Sequence, residues 1–410
     1  MRDAPFTDLK VLDLSWVVAG PLIGRVLADY GATVIRIESS KRVDTARVMG
    51  PFPGGKPDVQ QSALFENCNA GKLGLSLDLT KEQGRSVVRD LVPWADVVVE
   101  SFSPGHMKRW GLGYETLQAI KPDLIMVSTS LMGQTGPYAS FAGFGNIGAA
   151  LAGFQLLAGE RDAMPTGPFG PFTDFIGPRF GLLALLAALD QRRRTGQGCW
   201  LDVSQAEAGM QLLAPQLADF SASGTIALPD GNRDPHMAPH GVFACRAAAG
   251  VAAENSWVAI AARNDRDWHA LASAIAGSEL ASDARYATLS LRQQAEDEIE
   301  KLIADWTAQR SPHEVQALLQ AHGVPAHVAS ASADMVSDPQ LMARQHFVGL
   351  EHPLMGTSPV ETSRYRLSDT PGVPVRAAPT FGRDNLLVLR DILGYDQTRI
   401  AALESAGVLV

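Results

Sequence analysis

The chain has 410 residues, 46% hydrophobic and 19% charged, with a net charge of −9. This length is too great for one small core and points to two domains, and the apolar content argues against a disordered chain. The negative charge argues against nucleic acid as the main partner, because phosphate backbones need a basic face, but it leaves room for a small anion in a local basic pocket. Cys68, Cys199 and Cys245 stand apart with no C-x-x-C spacing. That implies a reducing compartment, no disulfide framework and no zinc site. The start, "MRDAPFTDLKVLDLS", lacks the apolar core of a signal peptide, so a cytoplasmic protein with no membrane association is expected.

In chain order, "KVLDL" reads as a strand, "SWVVAGP" as a turn, "LIGRVLADYG" as a helix with a terminal glycine, and "ATVIRIE" as a second strand. A strand–helix–strand unit implies a parallel pair with a right-handed crossover. The theme recurs in "EQGRSVVRDLVPWA" with "DVVVES", and in "YETLQAIKP" with "DLIMVSTS". Such alternation predicts a doubly wound α/β domain. "GLLALLAALDQRRRTGQG" reads as a buried helix and "CWLDVS" as a return to the sheet. The stretch "SASGTIALPDGNRDPHMAPHG" is rich in turn formers and reads as a linker. A strand at "SWVAIAA" and helices between residues 267 and 322 then form a second unit, and "GVPAHVAS" reads as a return to the first. "TPGVPVRAAPTFGRDN" reads as an extended loop, followed by a helical tail, "NLLVLRDILG".

Gly143, Gly145 and Gly148 satisfy G-x-G-x-x-G, but that fingerprint needs a strand directly before it, and "GQTGPYASFA" intervenes. His236 and His240 have helical metal-ligand spacing, yet Pro235 and Pro239 flank them and argue against a helix. No G-x-S-x-G elbow is present. Asp174 is different. It sits in "GPFTDFIGPRFG" among Phe172, Phe175, Ile176 and Phe180, where a carboxylate is costly to bury. A plain role is helix capping by Thr173 or Asp174, with Pro178 in the first turn. Amides at a helix start would also keep the carboxylate ionised, as a nucleophile requires.

Taken in register, "VLDLSWVVAGPLIGRVLADYGATVIRIE", "KLGLSLDL", "VESFSPGHMKRWGLGYE", "SLMGQTGPY", "TDFIGPRFG", "RRRTGQGCWLDVSQAEA", "GVPAHVAS", "SDPQLMARQHF" and "EHPLMG" resemble the family III CoA-transferases (CaiB/BaiF-like) across nearly the whole chain. The "NRDPHMAPHGVF" and "GPFGPFTDFIGPRF" variants look closest to the branch acting on substituted succinates.

The resemblance implies a large Rossmann-like α/β domain from residues 1–213 and 325–410, a linker at 214–240, and a smaller inserted α/β domain at 241–324. It implies dimers threaded like chain links, as a homodimer or a heteromer with a related subunit. It implies an acyl-CoA:carboxylate CoA-transferase acting on an acyl-CoA and a carboxylic acid, with a CoA thioester as substrate and no permanent cofactor. Asp174 falls at the family's catalytic aspartate. Val18, Ala19, Lys72, Phe102 and Arg109 fall at its CoA contacts, with Lys72 and Arg109 as the phosphate-binding charges. Phe144 and Gly145 replace an aromatic–acid pair of the acyl pocket and predict an apolar wall. The alternatives are a 2-methylacyl-CoA racemase of the same fold, and a non-catalytic subunit of a CoA-transferase heteromer.

Overall fold

A computed structural model describes residues 4–247 and 256–410. The chain forms two compact units, one of residues 1–155, 167–227 and 345–410, the other of residues 156–166 and 228–344.

The first unit is built on a six-stranded, all-parallel sheet in the order β3-β2-β1-β4-β5-β6. Its strands are β1 (Lys10–Asp13), β2 (Thr33–Glu38), β3 (Leu73–Ser76), β4 (Val97–Glu100), β5 (Ile125–Ser130) and β6 (Cys199–Ser204). The helices that follow in this unit are α1 (Ala19–Asp29), α2 (Thr45–Val48), α3 (Ala63–Asn69), α4 (Glu82–Leu91), α5 (His106–Arg109), α6 (Tyr114–Ile120), α7 (Gly145–Ala152), α8 (Phe172–Thr195), α9 (Gln205–Met210) and α10 (Ala214–Ser223). Runs such as Val97-Val98-Val99 suit a sheet buried on both faces, because β-branched residues pack well on a pleated surface. Alternation along β1 sends Leu12 to one core and Val11 to the other. The first core takes Val87, Val88 and Leu91 of α4 with Val388, Leu389, Ile400 and Leu403 from the C-terminal end, so both chain ends build this unit. The second takes Ile23 and Leu27 of α1 with Leu182 and Leu185 of α8. The order of strands reverses between β1 and β4, where a doubly wound sheet opens a crevice at the carboxyl ends of its strands.

The second unit holds an antiparallel sheet of β7 (His240–Ala244), β8 (Trp257–Ala261) and β9 (Ala326–Val328), packed with helices around Trp268, Tyr286, Ile303 and Trp306. Its limits differ from the expected 241–324. β9, within "GVPAHVAS", pairs with β8 instead of returning to the large sheet, and residues 214–223 of the expected linker are helical. The first unit also contains an unforeseen antiparallel hairpin, β10 (Phe347–His352) with β11 (Gly356–Glu361). The final stretch is helical in two pieces, a wide-turned Leu387–Ile392 and Gln397–Ser405.

Candidate active site

A cavity of about 540 Å³ opens in the first unit at the crevice between β1 and β4. The loop after β1 supplies Trp16, Val17 and Val18, and Ala19 opens α1. Arg42 and Thr45 come from the segment after β2, and Phe102 from the loop after β4. Thr129 and Ser130 end β5, Phe141 and Phe144 precede α7, Asp174 comes from α8, and Gln205 begins α9.

The loop after β1 is held by a buried ionic scaffold. Val17 has φ of 63°, a left-handed conformation that a β-branched residue adopts only under constraint, at a cost of about 1–3 kcal/mol. Its N–H donates to Asp44 Oδ1 (2.8 Å), and Arg36 ion-pairs with Asp44 while donating to the Ser15 carbonyl. The Trp16 N–H donates to Ser101 Oγ at 2.8 Å, joining the β1 and β4 loops. Glu100, itself buried and pushed up to a pKa of about 7 by desolvation, accepts the Phe102 N–H at 2.7 Å. Phe102 packs its ring against Trp16, His106 and Trp110. A smaller cleft of about 180 Å³ shares Trp16, Arg42 and Phe102 with the main cavity.

Asp174 stands in the first turn of α8, 5% exposed. Burial pushes its pKa up from 3.8 to about 6, against the opposing effect of a hydrogen bond from the Gly145 N–H. At neutral pH the group is therefore mostly ionised yet poorly solvated, which suits a nucleophile. Neither Thr173 nor Asp174 is the helix N-cap. That position is Pro171, without a side-chain cap, and the Thr173 hydroxyl donates to the Gly145 carbonyl at 3.0 Å. Pro178 lies inside the helix and not in its first turn. Lacking an N–H, it cannot bond the Asp174 carbonyl four residues back.

Val18, Ala19, Phe102, Phe144 and Asp174 all line the cavity, but the two expected phosphate contacts do not. Lys72 is wholly buried, with Nζ bonded to Asp13 Oδ2 (2.7 Å), the Pro21 carbonyl (2.8 Å) and Asn69 Oδ1 (2.8 Å). Burial lowers its pKa to about 8, with Asp13 opposing, and its donors are spent inside the protein. Arg109 is exposed beside His106 Nδ1 at 3.3 Å, behind the ring that packs on Phe102. Among the described residues, the cation that faces the cavity is Arg42, 5.3 Å over the Trp16 ring. In the sequence it sits in "SSKRVD", which reads only as a polar turn.

Gly145 also has a different role from the expected apolar wall. It is buried at the start of α7, and a Cβ there would meet Asp174 N at 2.6 Å. Gly148, one turn on, lies equally close to Thr173. The glycines of "GFGNIG" thus let α7 approach α8, with no nucleotide turn. Phe144, 52% exposed, is the aromatic part of that wall. Among the described residues no cluster of His, Cys, Asp and Glu has the makings of a metal site.

The profile of CoA-transferase family III matches residues 6–385. The succinyl-CoA–D-citramalate CoA-transferase of Chloroflexus aurantiacus is 35% identical over 405 residues, covering 99% of this chain and 98% of that protein. The alpha subunit of succinyl-CoA–L-malate CoA-transferase from Chloroflexus aurantiacus is 31% identical over 406 residues, covering 99% of this chain and 92% of that one. The crystal structure of a CaiB/BaiF family protein from Brucella suis superposes with a TM-score of 0.85 at 32% identity, covering 96% of this chain and all of that one.

Proposed function

The chain belongs to CoA-transferase family III, and from that membership we propose that it moves CoA from succinyl-CoA to a dicarboxylic acid, with Asp174 as covalent carrier. The observation that carries this reading is the Asp174 carboxylate on the wall of the switch-point cavity, mostly ionised and nearly out of water. The choice of donor and acceptor class is supported by relatives whose names specify succinyl-CoA with citramalate or malate.

In this scheme Asp174 attacks the thioester carbonyl, the C–S bond breaks, and CoA leaves as thiolate, giving a mixed anhydride. The thiolate attacks the Asp174 acyl carbon, which releases the first acid and leaves an aspartyl-CoA thioester. The acceptor carboxylate attacks that thioester and expels the thiolate, forming a second anhydride. Thiolate attack on the acceptor's acyl carbon then yields the new acyl-CoA and restores the Asp174 carboxylate. Each step exchanges one activated acyl group for another of similar energy, which is the advantage of the covalent route. Asp174 itself is 5% exposed, which keeps water from the anhydride. Arg42 and the rings of Trp16 and Phe102 hold the nucleotide end of CoA in the smaller cleft.

Assembly is part of the same proposal. Phe144, Ile147 and Leu151 beside and on α7, Leu183 on α8 and Phe220 on α10 are exposed apolar side chains, the kind of surface a dimer covers. A heteromer with a related subunit is the alternative, as the subunit name of the malate relative suggests. Incubation of the purified protein with succinyl-CoA, a panel of dicarboxylates and hydroxylamine tests the reading. New acyl-CoA masses and a hydroxamate on the peptide containing Asp174 are expected; their joint absence overturns it.

A further inference from the structure

Three polar atoms on the wall of the Asp174 cavity are buried without a hydrogen-bond partner: Thr129 Oγ1, Ser130 Oγ and Gln205 Oε1. Thr129 is 0% exposed and Gln205 6%. Polar groups at this depth are normally paired, so their common place on one cavity wall calls for a ligand. Thr129 and Gln205 also share a side of the sheet. Thr129 follows Ile125 and Val127, which face the α8 core, at the even spacing of one strand face. Gln205 Cγ lies 3.0 Å from where a Cβ on Gly177 would stand, and Gly177 is one helical turn beyond Asp174 on the same face of α8.

The chemistry of the pair narrows what it takes. An amide oxygen only accepts, so its partner must bring a proton; Thr129 Oγ1 both donates and accepts. A carboxylate or thioester carbonyl brings no proton. An alcohol does, and its oxygen then accepts from the threonine hydroxyl. We propose that Thr129 and Gln205 form a hydroxyl-recognition subsite beside Asp174, so that the acid exchanged by this enzyme carries a hydroxyl close to the reacting carboxyl group.

This proposal rests on the transferase reading and narrows its substrate class. A site that leaves its own polar groups unpaired discriminates strongly against an analogue lacking the hydroxyl. A pantetheine amide is the other group on the substrate with a proton to give. It is common to every acyl-CoA, so its loss would affect all acids equally.

The test measures kcat/KM with succinyl-CoA and acceptor pairs that differ by one hydroxyl, 2-hydroxyglutarate against glutarate and citramalate against 2-methylsuccinate. The wild type is expected to favour the hydroxylated member by about tenfold or more. Thr129→Val and Gln205→Met, which keep shape and remove the polar atom, should each bring the ratio to within about threefold, and Thr129→Ser should restore it. Equal use of both members by the wild type overturns the proposal. So does a ratio that survives in both variants, or a uniform loss across all acceptors. No CoA transfer to any acid, with no hydroxamate at Asp174, overturns the transferase reading and this one with it. Transfer without hydroxyl preference overturns only the subsite.

Discussion

Gly145 and Asp174 are so close that a Cβ on the glycine would stand 2.8 Å from the aspartate Cγ, while the glycine N–H donates to that same carboxylate. The backbone of α7 therefore serves as a fixed donor to the group assigned the covalent chemistry, and only a residue without a side chain admits that approach. Gly145→Ala places its methyl 2.5 Å from the Pro171 carbonyl and forces α7 and α8 apart. A loss of about 1–3 kcal/mol in stability is expected from such overpacking. The displacement also pulls the residue-145 N–H away from the carboxylate and leaves it less well stabilised, so the acidic limb of the kcat/KM profile should move to higher pH. An unchanged limb would show that the Gly145 N–H does not tune Asp174.

The nucleophile must be ionised, and burial has raised its pKa from 3.8 to about 6. Activity should therefore fall by about tenfold per pH unit below about pH 6 and level off above it. Stability runs the opposite way. A folded-state pKa above the unfolded value means that the folded protein holds the proton more tightly, an advantage complete below 3.8 and lost as pH rises through about 6. At pH 8 the ionised group therefore costs the fold about 3 kcal/mol. Asp174→Asn should lose several orders of magnitude in transfer rate, because the covalent route is gone. It should also be more stable than wild type at pH 8, with the difference vanishing near pH 4. Near-native turnover in Asp174→Asn would remove Asp174 from the centre of the mechanism.

Lys72 and Arg42 separate support from binding. Lys72 neutralises Asp13 in the interior at 2.7 Å, closer than Arg36 at 3.7 Å. Lys72→Met therefore removes the nearer counter-charge of a buried carboxylate and should cost up to about 3–5 kcal/mol in unfolding experiments. Arg42 faces the cavity over Trp16 and, among the described residues, carries no comparable internal network. Arg42→Ala should leave the melting temperature nearly unchanged and weaken CoA binding by about 1.5–3 kcal/mol, read by equilibrium titration. Arg109→Ala, outside the cavity, should have the smaller effect of the two. A reversed ranking would return the phosphate site to Arg109.

The main sheet was legible because its central strands are short apolar runs with helical periods between them, as in "KVLDL" and "DVVVES". β3 was not: Leu73–Ser76 is four residues long and contains Gly74, which is there because Pro379 packs where its Cβ would be. β9 is three residues long, and nothing local tells which sheet completes it. At the site, Asp174 stood out because a lone carboxylate among phenylalanines is chemically odd, and it is found buried on the cavity wall. Lys72 was misread because sequence shows charge and not depth. Arg42, Thr129 and Gln205 carried no signal, since their meaning lies in a shared wall assembled from β2, β5 and β6 loops and strand ends.

The composition of that wall also favours transfer over racemisation. Proton exchange at the α-carbon of an acyl-CoA needs an acid and a base on opposite faces of that carbon. Among the described residues lining the cavity, Asp174 is the one carboxylate, and no His, Lys, Cys or Tyr accompanies it. Its neighbours Phe144 and Gly145 bring an aromatic ring and a backbone N–H, neither of them a second base. One titrating base attacks a carbonyl well and exchanges an α-proton poorly. In heavy water, a 2-methylacyl-CoA incubated with the enzyme should therefore stay unlabelled at the α-carbon, and CoA should move only when a second carboxylate is supplied. Mass spectrometry of the recovered thioester reads both outcomes at once, and rapid α-deuteration without an acceptor acid would overturn the transferase reading in favour of the racemase.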